Sequence, residues 1–340
     1  MSSSATLPLV KKLILLDANH LMHRAYWAIQ RNLSTSKGEQ TNAVFGVASM
    51  LLTLIAREKP DVLIACFDEG KETFRHTDHK EYKAGRAETP DDFYAQIPRV
   101  HQCLKAFGIP TFSDPKFEAD DLLGTLAKRG VSEGFAVMIV TGDRDLFQMA
   151  SEGIQIAIPH KGYAVPEYLD AKGVGEKLGI TPAQVPDYKG LIGDASDNLK
   201  GVMGIGPKTA VELLQKYHSL EGIYEHLSEI RESVRKKLEA DRLSAFFCKK
   251  LAKLVTDVPL SMQLTEMEGW GPKSEKIDAF FQDIEFFTLR RRFQKFLEEN
   301  GYARAHFGGS VSSFRSGDVP DEPQGSEKGR MTEGQLPLLD

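Results

Sequence analysis

The 340-residue chain has little of what marks several common protein classes. Its three cysteines, Cys66, Cys103 and Cys248, are an odd number without zinc-site spacing. Neither a disulfide framework nor a thiolate metal site is expected, and the thiols read as reduced, partly buried small hydrophobes. No apolar run approaches the roughly 20 residues that a membrane-spanning helix requires. The opening MSSSATLPLVKKLILLDANH holds only a short apolar run that ends on an aspartate, unlike a secretory leader. A cytoplasmic location, away from any membrane, is therefore expected. Internal repeats are missing, and so is the GxxxxGK[ST] phosphate loop. A positive balance is missing too: the formal charge is −5, which taken whole disfavours a nucleic-acid binder.

The distribution of charge changes that reading. Residues 310–340 carry more acids than bases, and nine further acids fall into one proposed cluster. The rest of the chain is net basic, as suits an enzyme that grips phosphates around an acidic pit.

Three short apolar runs each end on an aspartate: KLILLD (12–17), DVLIACFD (61–68) and AVMIVTGD (136–143). They read as strands buried on both faces. Helical patterns separate them, including residues 42–58 and residues 119–130, the latter expected to close at Gly130. This alternation predicts an α/β fold with a mostly parallel central sheet flanked by helices. Ligands of such sheets sit beyond the carboxyl ends of the strands, where the three aspartates would arrive. The polar, basic segment 70–98 reads as an arch or lid. Residues 181–305 read as a mostly helical second part, with Thr181 capping and Pro182 opening its first helix. The expected catalytic part is 1–180, and 306–340, rich in Gly, Ser, Pro and acids, reads as a disordered tail.

The acids group as Asp17; Asp68; Glu118, Asp120 and Asp121; Asp143 and Asp145; and Asp194 and Asp197. Glu118 and Asp121 are spaced to share a helix face. Oxygen-rich sites of this kind suit Mg²⁺, with Mn²⁺ as a substitute. Two such ions roughly 3.5–4 Å apart would activate a water and stabilise both oxygens of an in-line phosphoryl displacement. Each group has a plainer explanation when taken alone. Acids in a first helical turn favour the helix dipole, and Asp and Asn serve turns. Structural need alone does not place an aspartate at the end of three strands beside two further acidic groups.

In GVMGIGPKTAVELL (201–214), Gly204 and Gly206 belong to a tight turn before a helix whose first turn carries Lys208 and Thr209. The free N–H groups there would hold a backbone phosphate of duplex DNA, although an ordinary helical hairpin would use the same glycines. A basic and aromatic set, Arg24, Tyr82, Lys83, Arg86 and Lys189, offers charge for a developing phosphorane and for DNA.

With these blocks in place, LLDANHLMHRAY, CFDEGKETFRH, YKAGR, FEADDLLGTLA, TGDRDLFQM, GDASDNLKGVMGIGPKTA and KLVTDVPL, the chain resembles the 5′-nuclease (flap endonuclease) family over roughly residues 12–300. That family includes the 5′→3′ exonuclease domain of bacterial DNA polymerase I. The resemblance implies a PIN-like core with a helical arch and a helix–three-turn–helix DNA clamp. It implies 5′→3′ exonuclease and 5′-flap endonuclease activity on DNA with flaps, nicks or gaps, in primer removal and repair. By motif, Asp68, Glu118 and Asp120, with Asp17 behind them, would hold the first metal. Asp121, Asp143, Asp145, Asp194 and Asp197 would hold or support the second. Lys83 and Arg24 would act as catalytic cations at the scissile phosphate, with Tyr82, Arg86 and Lys189 on nearby DNA and a K⁺ in the clamp turn. Relatives usually carry Tyr or Phe just before the arginine matching Arg24; here that residue is His23. The end of the chain, with Gln335, Leu336, Leu338 and Leu339, resembles peptides that dock on the sliding clamp. A monomer is expected. Two other readings remain at this point: a ribonuclease on a similar acidic core, and a non-catalytic DNA-binding scaffold. The clamp turn argues against the first and the retention of all nine acids against the second.

Overall fold

In the computed structural model, the described residues are 10–29, 33–69, 73–85, 89–260, 263–267, 272 and 274–299. Arg86 and the tail residues Gln335, Leu336, Leu338 and Leu339 lie outside them. Six strands form one sheet in the order β3-β2-β1-β4-β5-β6. They are β1 Lys12–Asp17, β2 Val62–Cys66, β3 Thr111–Phe112, β4 Ala136–Val140, β5 Ile154–Ile158 and β6 Glu167–Leu169. All neighbours run parallel except β5 and β6. The expected mostly parallel sheet is what forms.

Strand β1 shows why. Leu13 and Leu15 pack into one apolar cluster and Ile14 and Leu16 into the other. A strand enclosed on both faces needs an unbroken apolar run and suits the middle of a helix-covered sheet. Helices α1 (Ala18–Ala28) and α2 (Asn42–Glu58) cover one face. They cross closely: a Cβ on Gly46 would stand 2.5 Å from the Cβ of Ala25. The short helices α3 (Phe74–Asp78) and α4 (Asp91–Ala95) fall in the segment read as an arch, and α5 (Ile97–Ala106) follows.

Helix α6 (Ala119–Ser132) covers the other face. It does not stop at Gly130, as the glycine had led us to expect. Gly130 is instead where the helix lies against the sheet, since a Cβ there would be 2.6 Å from Leu13 Cδ2. Packing, not termination, requires this glycine. The remaining helices are α7 (Ala171–Leu178), α8 (Val185–Ile192), α9 (Pro207–Tyr217), α10 (Leu220–Glu225), α11 (Glu232–Ala240), α12 (Arg242–Ala252), α13 (Ser274–Asp283) and α14 (Phe287–Glu299). Thr181 does cap a short 3-10 turn that begins at Pro182. All three cysteines are free and buried. Among the described residues, no helix is long and apolar enough to cross a membrane.

Candidate functional site

The strand order reverses direction at β1, whose neighbours are β2 and β4. Crossovers leave to opposite faces there, so a crevice opens beyond the carboxyl ends of these strands. Asp17, the last residue of β1, is buried and also caps α1 by accepting from His20 N at 3.0 Å. Thr141, just past β4, donates its hydroxyl to Asp17 Oδ2 at 2.7 Å. The same Thr141 oxygen accepts from Asp143 N at 2.9 Å, and Asp145 N donates to Asp143 Oδ1 at 2.8 Å. One hydroxyl therefore sets two acidic groups relative to each other. Asp68 follows β2 and accepts from Ala119 N at 2.7 Å, which joins it to the start of α6.

Glu118 caps that helix and is buried. Lys83 Nζ donates to Glu118 Oε1 at 2.7 Å. The backbone of Lys83 is left-handed, with φ 59°, and its N–H donates to Asp197 O at 3.1 Å. Asn198 Nδ2 adds a bond to Glu81 O at 2.9 Å. The unfavourable backbone of a non-glycine residue is thus held by contacts to the loop carrying Asp194 and Asp197.

Ligand atoms of Asp145, Asp194 and Asp197 all lie within 4.8 Å of one another. Glu118, Asp120, Asp143, Asp145 and Asp197 line a cavity of about 20 Å³, room for one water-sized guest. The acids strain against their setting. Burial, then the neighbouring Asp143 and Asp68, push the Asp17 carboxyl up to about 7. Burial and Asp143 likewise push Asp145 up to about 7. Asp120 and Asp143 are also raised, mainly by desolvation. Crowded carboxylates with only oxygen donors, short of positive charge, fit hard divalent cations.

Two residues stand differently from expectation, and a third takes the supporting one of its two expected roles. Tyr82 was expected on DNA, but it is buried, and its hydroxyl lies 3.3 Å from Glu118 Oε2 and 3.1 Å from Asp197 Oδ2. It bridges the two halves of the cluster. Lys189 was also expected on DNA. Its ammonium instead lies 2.8 Å from Asp145 Oδ1 and bonds Asp194 Oδ2, where it neutralises acids inside the site. Asp121 is fully buried, and both its oxygens are taken. Arg75 clasps them, Glu118 N donates to Oδ2 at 3.1 Å, and Val255 N donates to Oδ1 at 2.9 Å. It supports the start of α6 rather than facing a metal. Neither Arg75 nor Thr141 was singled out from the sequence. Arg75 lies in FRH and Thr141 in TGD, and the signal that could have found them is their placement next to cluster acids.

Arg24 is half-buried on α1, and burial lowers its pKa. It forms no ion pair or hydrogen bond among the described residues. Its guanidinium stays available for an anion.

The hairpin turn leads from the acidic loop into α9. Gly206 is the N-cap of α9, Lys208 is exposed in its first turn, and Thr209 is partly exposed behind it. Gly204, with φ 75°, stands at the turn, where Lys237 Nζ donates to its carbonyl at 2.8 Å. Lys237 is a further cation beside the turn that the sequence reading missed.

Comparison with known proteins bears on this arrangement. Residues 12–179 match the model of the 5′-3′ exonuclease N-terminal resolvase-like domain, and residues 180–275 match that of the 5′-3′ exonuclease C-terminal SAM fold. DNA polymerase I of Bacillus subtilis is 41% identical over 283 residues, which is 83% of this chain. The thermostable DNA polymerase I of Thermus thermophilus is 40% identical over 292 residues, 85% of this chain. The chain spans about a third of the length of these relatives, 32% and 34% respectively. Among solved structures, the bacteriophage T5 D15 protein co-crystallised with metal ions superposes with a TM-score of 0.62 at 19% identity, covering 81% of this chain and 99% of its own. The catalytic core of Rad2 in complex with DNA substrate gives 0.58 at 17%, covering 85% and 92%. At such identity these two speak for the fold. With both domain models matched in sequence and in order, the chain belongs to the 5′-3′ exonuclease family.

Proposed function

We propose that the protein is a divalent-metal-dependent 5′-nuclease, acting as 5′→3′ exonuclease and 5′-flap endonuclease on DNA with flaps, nicks or gaps. The observation that carries this reading is the convergence of Asp17, Asp68, Glu118, Asp120, Asp143, Asp145, Asp194 and Asp197 beyond one end of the sheet. We take the catalytic part as residues 1–180 and the helical DNA-binding part as 181–305.

On this reading Asp17, Asp68, Glu118 and Asp120 hold one Mg²⁺, and Asp143, Asp145, Asp194 and Asp197 hold a second. When bound, the two ions supply Lewis-acid stabilisation and an activated water for in-line displacement. The chain's own residues do the rest. Thr141 fixes Asp17 and Asp143 at a set separation. Tyr82 and Lys189 hold the second acidic group in place before metal arrives. Lys83 and Arg24 bring positive charge to the phosphate as negative charge builds on it. The hairpin turn with Gly204, Gly206, Lys208 and Thr209 holds a duplex phosphate, and a K⁺ in that turn would strengthen the grip. Arg86, in the YKAGR block, is assigned to the nearby strand.

The family relationship and the similarity to DNA polymerases I support a place in primer removal and repair. We further infer that Gln335, Leu336, Leu338 and Leu339 dock on the sliding clamp, because the peptide resembles known clamp ligands. The enzyme is taken as a cytoplasmic monomer. The test of the main reading is cleavage of 5′-labelled flap, nicked, single-stranded and RNA–DNA substrates with Mg²⁺, Mn²⁺ or EDTA. Cutting near 5′ ends that EDTA abolishes is expected; metal-independent cutting, or none, overturns the assignment.

A further inference from the structure

The second acidic group already holds a cation belonging to the chain. The side chain of Lys189, on α8, is 13% exposed. Its ammonium lies 2.8 Å from Asp145 Oδ1 and donates to Asp194 Oδ2. The oxygens it covers are the ones left over. Asp194 Oδ1 is taken by Ser196 N at 2.9 Å, Ser196 Oγ at 2.6 Å and Asp197 N at 3.3 Å, which leaves Oδ2 for a cation. Asp145 Oδ1 is buried and accepts no hydrogen bond among the described residues, so the ammonium offsets its charge without satisfying it. With Asp197, these two acids bring ligand atoms within 4.8 Å of one another.

An ammonium and a divalent ion repel too strongly to share one carboxylate oxygen at bonding distance. Filling the second site therefore requires the Lys189 side chain to withdraw. Its helix cannot retreat with it. Gly190 packs so closely on α12 that a Cβ there would stand 2.8 Å from Ala245 O. Asp187, two residues before Lys189, is tied to Leu220 N at 2.6 Å and to Lys249 at 2.7 Å. Only the side chain is left to move, and moving it breaks a desolvated ion pair, which is costly. At the first group, Asp17 and Asp68 accept from Thr141 and from backbone N–H groups, donors without charge.

We propose that Lys189 is a built-in competitor of the second divalent ion. In the free protein its ammonium occupies Asp145 and Asp194, so one ion binds well and the second binds weakly. This deepens the nuclease reading and rests on its two-ion site. The free protein is thereby kept from holding the pair of ions that hydrolysis needs.

The test reads metal binding, not cleavage. Free Mn²⁺ is followed by its EPR signal as the full chain is titrated without DNA, for wild type, Lys189→Met, Lys189→Gln and Lys189→Arg. Wild type should bind one ion about ten-fold or more tightly than a second. Either neutral variant should tighten the second ion by about ten-fold and leave the first nearly unchanged. Lys189→Arg keeps a charge on the same acids and should behave as wild type. Lys83→Gln removes an ammonium from Glu118 in the first group and should not tighten the second ion. If it does so equally, general charge rather than competition is at work, and the proposal falls. Circular dichroism establishes which variants are folded, and a folded Lys189→Gln decides the matter if Lys189→Met is not. Two equally tight ions in wild type, or a second ion as weak in the neutral variants as in wild type, overturns the proposal. If wild type takes up no Mn²⁺, the two-ion reading falls and takes this one with it.

Discussion

Arg75 grips Asp121 with both ends of its guanidinium, Nη1 at 2.6 Å from Oδ2 and Nη2 at 2.9 Å from Oδ1, and both side chains are buried. Arg75 also reaches Glu118 Oε2 at 3.2 Å and donates to Leu251 O at 2.8 Å. One cation therefore links α3, the start of α6 and the end of α12. Removing it leaves the buried Asp121 carboxylate without a counter-charge, while Glu118 keeps Lys83. Arg75→Ala should cost about 3–5 kcal/mol of stability, read as a lower midpoint in urea unfolding. A change below about 1 kcal/mol, the range of an exposed pair, would show that water or a neighbour replaces it.

Loss of one cluster acid should separate chemistry from binding. Asp143→Asn or Asp68→Asn should abolish Mg²⁺-supported cleavage and leave affinity for flap DNA largely intact, because Asp68 and Asp143 follow strands of the sheet whereas Gly206 and Lys208 stand at the start of α9. Turnover near the wild-type level in either variant would refute the proposed ligand set.

The two lysines should behave oppositely. Lys83 touches Glu118, whereas Lys208 is exposed on the hairpin helix. Lys83→Ala should lower the single-turnover rate about a hundred-fold or more with little effect on affinity. Lys208→Ala should weaken binding and reduce its salt slope by about one phosphate contact. The reverse pattern would exchange their roles.

The raised carboxyls make the metal-free fold sensitive to alkali. Asp17, ordinarily near 3.8, is pushed up to about 7. Between those values the folded chain holds a proton that the unfolded chain has lost, so stability falls as pH rises through this window and is lowest above it. In EDTA, Tm should drop from pH 5 to pH 8, and Asp17→Asn should make the slope shallower, with Asp145 carrying the remainder. Mg²⁺ at pH 8 should raise Tm by binding only the folded site. A slope that Asp17→Asn leaves unchanged would place its source elsewhere.

The tail makes a separate prediction. A labelled peptide of residues 330–340 should bind the sliding clamp of the same organism saturably, and changing Gln335 and Leu338 to Ala should abolish this. Binding that ignores both changes would leave the tail as an appendage.

The strand-end aspartates were legible because a doubly covered strand writes itself as an unbroken apolar run, and the residue after it must emerge at the crevice. KLILLD, DVLIACFD and AVMIVTGD state this directly. Lys189 and Tyr82 were not legible in the same way. Sequence gives a cation or a phenol its chemistry, but which acid it meets depends on how the loop with Asp194 folds back on Asp145 and Glu118. Gly130 misled for a related reason. A glycine ends a helix or lets it lie close to a sheet, and only the neighbouring Leu13 decides which.

The loop of acids and the hairpin turn are joined backbone to backbone. Gly193 and Gly201, both at positive φ, are so close that a side chain on either would strike the other's strand of the loop. Asp194 N and Leu199 N each bond to the other's carbonyl at 2.7 Å, and Val202 N bonds Leu191 O at 2.9 Å. No flexible linker lies between the carboxylates and the turn, so the separation between them works as a ruler. A duplex seated on the turn meets the acids at one fixed distance. The cut should then fall a constant number of nucleotides from the duplex junction, whatever the length of the single strand beyond it.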